Sequence, residues 1–180
     1  MINLTLNQKQ LVSKLVIGTS KGEKMSILLR NDHPDINIDC TDLENMIEKV
    51  MSHLDCQNTE VSILLTRDAD IRLLNKEFRS IDQPTDVLSF PQNQDEDLSI
   101  PGKKFLGDIA VSLDTAKIQA NEHGLVLKEE IVLLLIHGIL HLLGYDHEAS
   151  EQEDQKMRSK TRELFKLVFP KKFLDDTCNY

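Results

Sequence analysis

Apolar residues recur along most of this 180-residue chain at spacings of two or of three to four, and those two periods lay out its elements. Residues 1–24 show no clear period and read as a disordered or atypical extension, with Met25 as an alternative start. From Met25 the pattern sharpens. Ser26–Leu29 reads as a first strand, followed by the turn-forming Asn31, Asp32, His33 and Pro34. Thr41–His53 sets Leu43, Met46, Ile47, Val50 and Met51 at helical spacing, with Thr41 as N-cap. Val61–Leu65 is a short buried strand, and a helix over 69–79, capped by Asp68 or Asp70, turns Ile71, Leu74 and Phe78 inward. Asp82 and Pro84 mark a loop, Val87–Phe90 a strand, and the polar, acidic, Pro/Gly-punctuated 92–104 a surface connection. Leu106–Ser112 is a further strand. Helices follow over Asp114–His123, Lys128–Leu143 and Glu151–Phe169, the last using Met157, Thr161, Leu164, Phe165 and Val168 and stopping at Pro170.

Few strands interleaved with helices predict an α+β fold (or a mixed α/β layer): a small mixed β-sheet packed with about five helices. Lys128–Leu143 is apolar nearly all round and is expected to be the buried central helix. The expected organisation is one domain over 25–170 and a C-terminal tail over 171–180, with no internal repeat and no second core.

Composition narrows this further. Hydrophobic residues make up 40% of the chain but aromatics only 4%, with no Trp, so Leu, Ile and Val must fill the core. Cys40, Cys56 and Cys178 are odd in number and widely spaced, which argues for a reducing cytoplasm and against a disulfide framework or a cysteine zinc site. The longest strongly apolar run, Ile131–Leu143, is too short and too polar to span a bilayer, so no membrane partner is expected. The amino terminus carries no convincing signal peptide, because Ser13 and Lys14 break its apolar patch. A net charge of −9 weighs against broad attraction to nucleic acid, though not against a local basic channel. The acidic clusters at 95–97 and at Glu148, Glu151, Glu153 and Asp154 read as solvated surface.

The chemistry concentrates in His137-Gly138-Ile139-Leu140-His141-Leu142-Leu143-Gly144-Tyr145-Asp146-His147. His137 and His141, four apart on a helix, share one face. Gly144 supplies the left-handed residue that ends a helix, and the chain can then return His147 to the same point. Three imidazoles with an open fourth position describe a catalytic rather than a structural zinc site, with one Zn2+ per chain. Asp146, beside a ligand, is a candidate for fixing an imidazole tautomer. Asp108, at a strand end, is another, or else a turn cap. Metzincin proteases share the histidine spacing but carry Glu directly after the first His as general base. Here that residue is Gly138, which has no side chain to move a proton, so peptide hydrolysis by that route is not expected.

Three blocks together resemble the YbeY family of bacterial endoribonucleases, also called rRNA maturation factors. They are Phe78-Arg79 with Pro84-Thr85-Asp86-Val87-Leu88-Ser89-Phe90-Pro91, then Leu106-Gly107-Asp108-Ile109, then the 137–147 stretch, and the likeness covers about Met25 to Phe169. The resemblance implies a cytoplasmic, zinc-dependent endoribonuclease acting on single strands. It also implies roles in maturing ribosomal RNA, notably the small-subunit 3′ end, and in ribosome quality control. The family's metal histidines fall on His137, His141 and His147, and its essential arginine on Arg79, making 25–170 the catalytic domain. The implied partners are ribosomal RNA, small-subunit proteins and assembly factors. Two other readings stay open on the sequence: a ribosome-assembly binding protein with a mainly structural zinc, and a zinc hydrolase on another substrate.

Overall fold

A computed structural model describes residues 25–92, 104–174 and 178. The expected 1–24 extension and most of the 92–104 connection lie outside the described residues. Among them the elements run β1 (Ser26–Asn31), α1 (Cys40–His53), β2 (Thr59–Thr66), α2 (Asp68–Arg79), β3 (Val87–Pro91), β4 (Lys104–Ser112), α3 (Leu113–Glu122), α4 (Leu127–Leu142) and α5 (Glu151–Val168). The sheet has the order β1-β2-β4-β3. β1, β2 and β4 are parallel, and β3 is an antiparallel edge strand. This is the mixed sheet with five helices expected of an α+β fold.

Local chemistry explains the boundaries, including two that differ from expectation. α1 begins one residue earlier because the Asp39 side chain accepts the Asp42 N–H at 3.1 Å, displacing Thr41 as N-cap. α2 has no side-chain cap at all. Asp68 instead accepts from Ser112 Oγ and, at 2.7 Å, from Thr115 Oγ1, while Asp70 pairs with Arg67 at 2.8 Å. Both carboxylates still sit in the first turn, where the helix dipole favours negative charge.

α4 touches β3, β4, α1, α3 and α5, and Ile131 to Ile136 are all fully buried. The main core gathers around it: Leu43, Ile47, Val50 and Met51 from α1, Ile63 and Leu65 from β2, and Met157, Leu164 and Phe165 from α5. Strand alternation turns Ala110 to the opposite sheet face. There it joins Leu88 and Ile71 of α2, with Leu74 and Phe90, in a small patch of its own. Past α5, Leu174 and Cys178 pack back on the main core.

One irregularity interrupts the pairing of β2 with β4. Glu60 pairs with Phe105 but Val61 with Gly107, so Leu106 is an extra residue, a β-bulge. Gly107 has φ +145°, and a Cβ there would lie 2.2 Å from the Phe90 carbonyl oxygen and 2.9 Å from Leu142 Cδ2. Only glycine lets β3 and the last turn of α4 close together here.

Candidate metal centre

His137 is buried and His141 half-buried on the last turns of α4. The helix ends in a Schellman motif: the Gly144 N–H reaches the His141 carbonyl and the Tyr145 N–H the Leu140 carbonyl, each at 3.0 Å, with Gly144 at φ +89°. The reversal carries His147 back over the helix end. Ring centroids then stand 4.6 Å apart for His137–His141, 5.3 Å for His137–His147 and 5.2 Å for His141–His147. One nitrogen from each ring lies within 4.8 Å of the other two, the only such cluster of three or more His, Cys, Asp or Glu among the described residues. The structure therefore brings together all three histidines named from the sequence.

The donor chemistry fits a cation. His141 Nδ1 lies 3.0 Å from the Tyr145 carbonyl oxygen, which can only accept, so the proton sits on Nδ1 and the Nε2 lone pair is left for a ligand. His137 Nε2 is 3.0 Å from that lone pair. Burial, then the charges that His141 and His147 would carry, push His137 down to about 3, so it is neutral at pH 7. Burial first, and then His147, also lower His141, with the Arg79 guanidinium acting in the same direction. The three imidazoles converging in a half-buried site form a group that could hold a metal ion.

Arg79 ends α2 and is exposed, with Ser80 behind it in the left-handed conformation at φ 61°. Its helix packs on the sheet face opposite α4, and its charge lowers His141. Sequence reasoning did not single out Asp86, which acts against burial by favouring the charged form of His137. Its carboxylate accepts from the Val87 N–H at 2.7 Å, Thr85 Oγ1 at 3.0 Å and Gln119 Nε2 at 2.9 Å. Its signal was the Pro84-Thr85-Asp86 run at the mouth of β3.

Two expected supporting carboxylates make their hydrogen bonds to other groups, although the Asp146 charge acts on His141. Asp146 caps its own turn, accepting the Glu148 N–H at 2.9 Å, and the group that fixes the His141 tautomer is the Tyr145 carbonyl. Asp108 lies inside β4, not at its end, and alternation places it on the face away from α4, next to Ser62. Burial pushes it up to about 6 against a Ser62 hydrogen bond that lowers it. A carboxyl raised on folding binds its proton more tightly in the native state, so its stabilising contribution is present below about pH 4 and is lost as pH rises through about 6. Asp108→Asn is therefore expected to stabilise the protein by roughly 1–3 kcal/mol at pH 7 and by little at pH 4. Urea unfolding across that range measures it; an equal effect at both pH values would contradict the assignment.

Position 138 also acquires a different meaning. A Cβ on Gly138 would lie 3.1 Å from Ile109 Cδ1 and Cγ2 and from Ser89 Oγ. This side of α4 is pressed on β3 and β4, so a carboxylate here would meet the sheet, not the imidazole nitrogens. Gly138→Ala gains about 1 kcal/mol of helix propensity but overpacks the contact by about 1–3 kcal/mol. The expected outcome is a net loss of about 1 kcal/mol in urea unfolding, with no peptidase activity created.

Comparison with known proteins decides the family. The sequence model described as Endoribonuclease YbeY matches residues 28–168. The chain belongs to the YbeY endoribonuclease family. An Endoribonuclease YbeY of Persephonella marina is 48% identical over 145 residues, which cover 79% of this chain and 92% of that protein. The one from Aquifex aeolicus is 42% identical over 142 residues, covering 79% and 91%. The solution structure of TM1509 from Thermotoga maritima matches with a TM-score of 0.56 at 29% identity, covering 81% of this chain and 89% of that one. The blocks at Pro84–Pro91 and Leu106–Ile109 form all of β3 and the middle of β4, the strands on which α4 is seated.

Proposed function

We propose that this chain is a metal-dependent endoribonuclease acting on single-stranded RNA in the maturation of ribosomal RNA, at the 3′ end of the small-subunit RNA, and in ribosome quality control. The observation that carries it is the convergence of three imidazoles at His137, His141 and His147, with the Arg79 charge acting on the same site. Membership of the YbeY family supports the substrate class. Three nitrogen donors suit zinc, copper or nickel better than magnesium, and one zinc ion per chain is the natural occupant. Such an ion supplies a Lewis acid for a phosphoryl oxygen.

The chain's own residues do the rest. Arg79 offers a planar fork that holds two phosphate oxygens and offsets negative charge growing in the transition state. The Tyr145 carbonyl keeps His141 in the ligating tautomer. The wall of α4 (Ile136, Ile139, Leu140) excludes water from one side of the imidazoles and so strengthens the field between them. The cellular setting proposed is the cytoplasm, with small-subunit proteins and assembly factors as partners. The acidic charge balance supports such proteins sharing the RNA contact.

Elemental analysis of the purified protein, paired with cleavage of a single-stranded and a duplex RNA with and without chelator, tests this reading. One zinc per chain and chelator-sensitive cleavage of the single strand are expected. Stoichiometric zinc with no RNA cleavage would leave the assembly-protein role or hydrolysis of another substrate.

A further inference from the structure

The cations of α2 are arranged in a way that the catalytic reading of Arg79 does not use. Arg72, Lys76 and Arg79 are spaced by four and three residues, so they form one row on the exposed face of the helix, about 10 Å long. The row ends at Arg79, whose charge is felt by His141. Its other two members are held by a single carboxylate. Asp82, from the loop after the helix, takes Arg72 Nε on Oδ1 at 2.7 Å and Lys76 Nζ on Oδ2 at 2.8 Å. No carboxylate among the described residues is paired with Arg79.

We propose that the Arg72–Lys76–Arg79 row is the track for the substrate backbone flanking the cleaved phosphate, and that Asp82 occupies two of its cations in the free protein as a stand-in for phosphate. Resting on the endoribonuclease reading above, it specifies where the strand runs. In a chain of net charge −9, three cations in one row on a helix face, the last of them acting on His141, are a local concentration of positive charge. Ten ångströms is about three stacked nucleotides at about 3.4 Å each. Two like charges four apart on a helix repel, and a carboxylate bridging them removes that repulsion until a phosphate takes its place. The side chains of Arg72, Lys76 and Asp82 are all about half exposed, and ion pairs so exposed hold weakly enough to exchange. The two carboxylate oxygens, each on a different cation, mimic the way a phosphate offers several oxygens at once. Both cations pull Asp82 down to about 2, so it is charged throughout the pH range in which RNA is bound.

Exchange has a measurable signature. A phosphate that displaces Asp82 releases fewer salt ions than one that meets a bare cation, so the native protein's affinity should depend on salt less than its cation count suggests. The test uses metal-loaded protein and a fluorescent single-stranded RNA of about 12 nucleotides, with binding read by stopped-flow anisotropy ahead of turnover at several salt concentrations. Asp82→Asn is expected to bind about three- to tenfold tighter at low salt, and its log affinity–log salt slope to steepen by about 0.7 for each freed cation. Arg72→Gln with Lys76→Gln in the native background should bind more weakly with a flatter slope, and the same pair added to Asp82→Asn should cancel its gain. If Asp82 only anchors its loop, Asp82→Asn will bind no tighter with an unchanged slope; that result overturns the proposal. Unchanged binding in the Arg72/Lys76 variant, with native protein that binds and cleaves RNA, also overturns it and leaves the endoribonuclease reading intact. Native protein that neither binds nor cleaves the RNA removes both.

Discussion

Replacing His141 by alanine is expected to strip the protein of stoichiometric metal at neutral pH and to abolish chelator-sensitive RNA cleavage. His141 is the best of the three ligands for this test. His137 is buried, so its removal leaves a cavity in the core side of α4 and confounds binding with folding. His141 is half-buried, and its neutral ring is held by one backbone hydrogen bond at 3.0 Å, so its loss disturbs little else. Loss of an outer-sphere partner alone typically weakens a metal site about 10–100-fold, and loss of a ligand should exceed that. Thermal unfolding of metal-free native and variant proteins should differ by little, while added zinc should raise the midpoint of the native protein only. Elemental analysis after dialysis reads the occupancy. A variant that retains one zinc per chain would show that the three rings do not form the site.

The second large effect is expected at Arg79. Arg79→Lys keeps the positive charge and the position at the end of α2, but loses the planar fork. Deleting a donor aimed at developing charge typically costs 10²–10³ in rate, and a lysine that keeps part of the field should cost on the order of 10–100-fold. Binding of single-stranded RNA should weaken by less than about threefold, because the ground-state phosphate is served nearly as well by a point charge. Metal content should remain native, since Arg79 is not one of the candidate ligands. Single-turnover cleavage set against binding of the same RNA separates the two terms. Equal cleavage rates would remove Arg79 from the catalytic set and place it with Arg72 and Lys76 as backbone contacts.

Much of this was legible in the sequence because strong local signals agreed with the tertiary result. His137 and His141 repeat at the helical period, Gly144 marks the stop, and α4 is apolar on every side, so helix, cap and convergence follow from one stretch. The misplaced caps have a different cause. Asp39, Thr41, Asp68 and Asp70 are all competent N-cap types; Asp39 won over Thr41 by a local bond to the Asp42 N–H, while Asp68 was drawn to Ser112 and Thr115, 44 and 47 residues away. The support of His141 was invisible for another reason. A backbone carbonyl does the work, and Tyr145 carries no mark of it, whereas Asp146 looked like the natural candidate and is occupied by its own turn. Nor could one sequence reveal that β3 runs antiparallel to β4 at the edge of three parallel strands. Strand order is set by long-range closure, which no local stretch of sequence records.

The extra residue in β4 is a switch of parity. Along an unbroken strand, Leu106 and Ile109 would face opposite ways, since they are an odd number of residues apart. Here Leu106, Ile109 and Val111 all reach the same core, because the bulge absorbs one step of the alternation. Closing that bulge by deleting one residue, or shifting it by inserting one, would force a choice between the two halves of the strand. If the lower half kept its place, Ile109 would leave α4 and Asp108 would be turned beneath the helix that carries the histidines. A site of three rings at one end of one helix is thus tied to the count of residues in a strand on which none of them lies. Substitutions at 105 and 106 can be judged by volume and charge, but single insertions and deletions in 105–107 act on the whole centre at once.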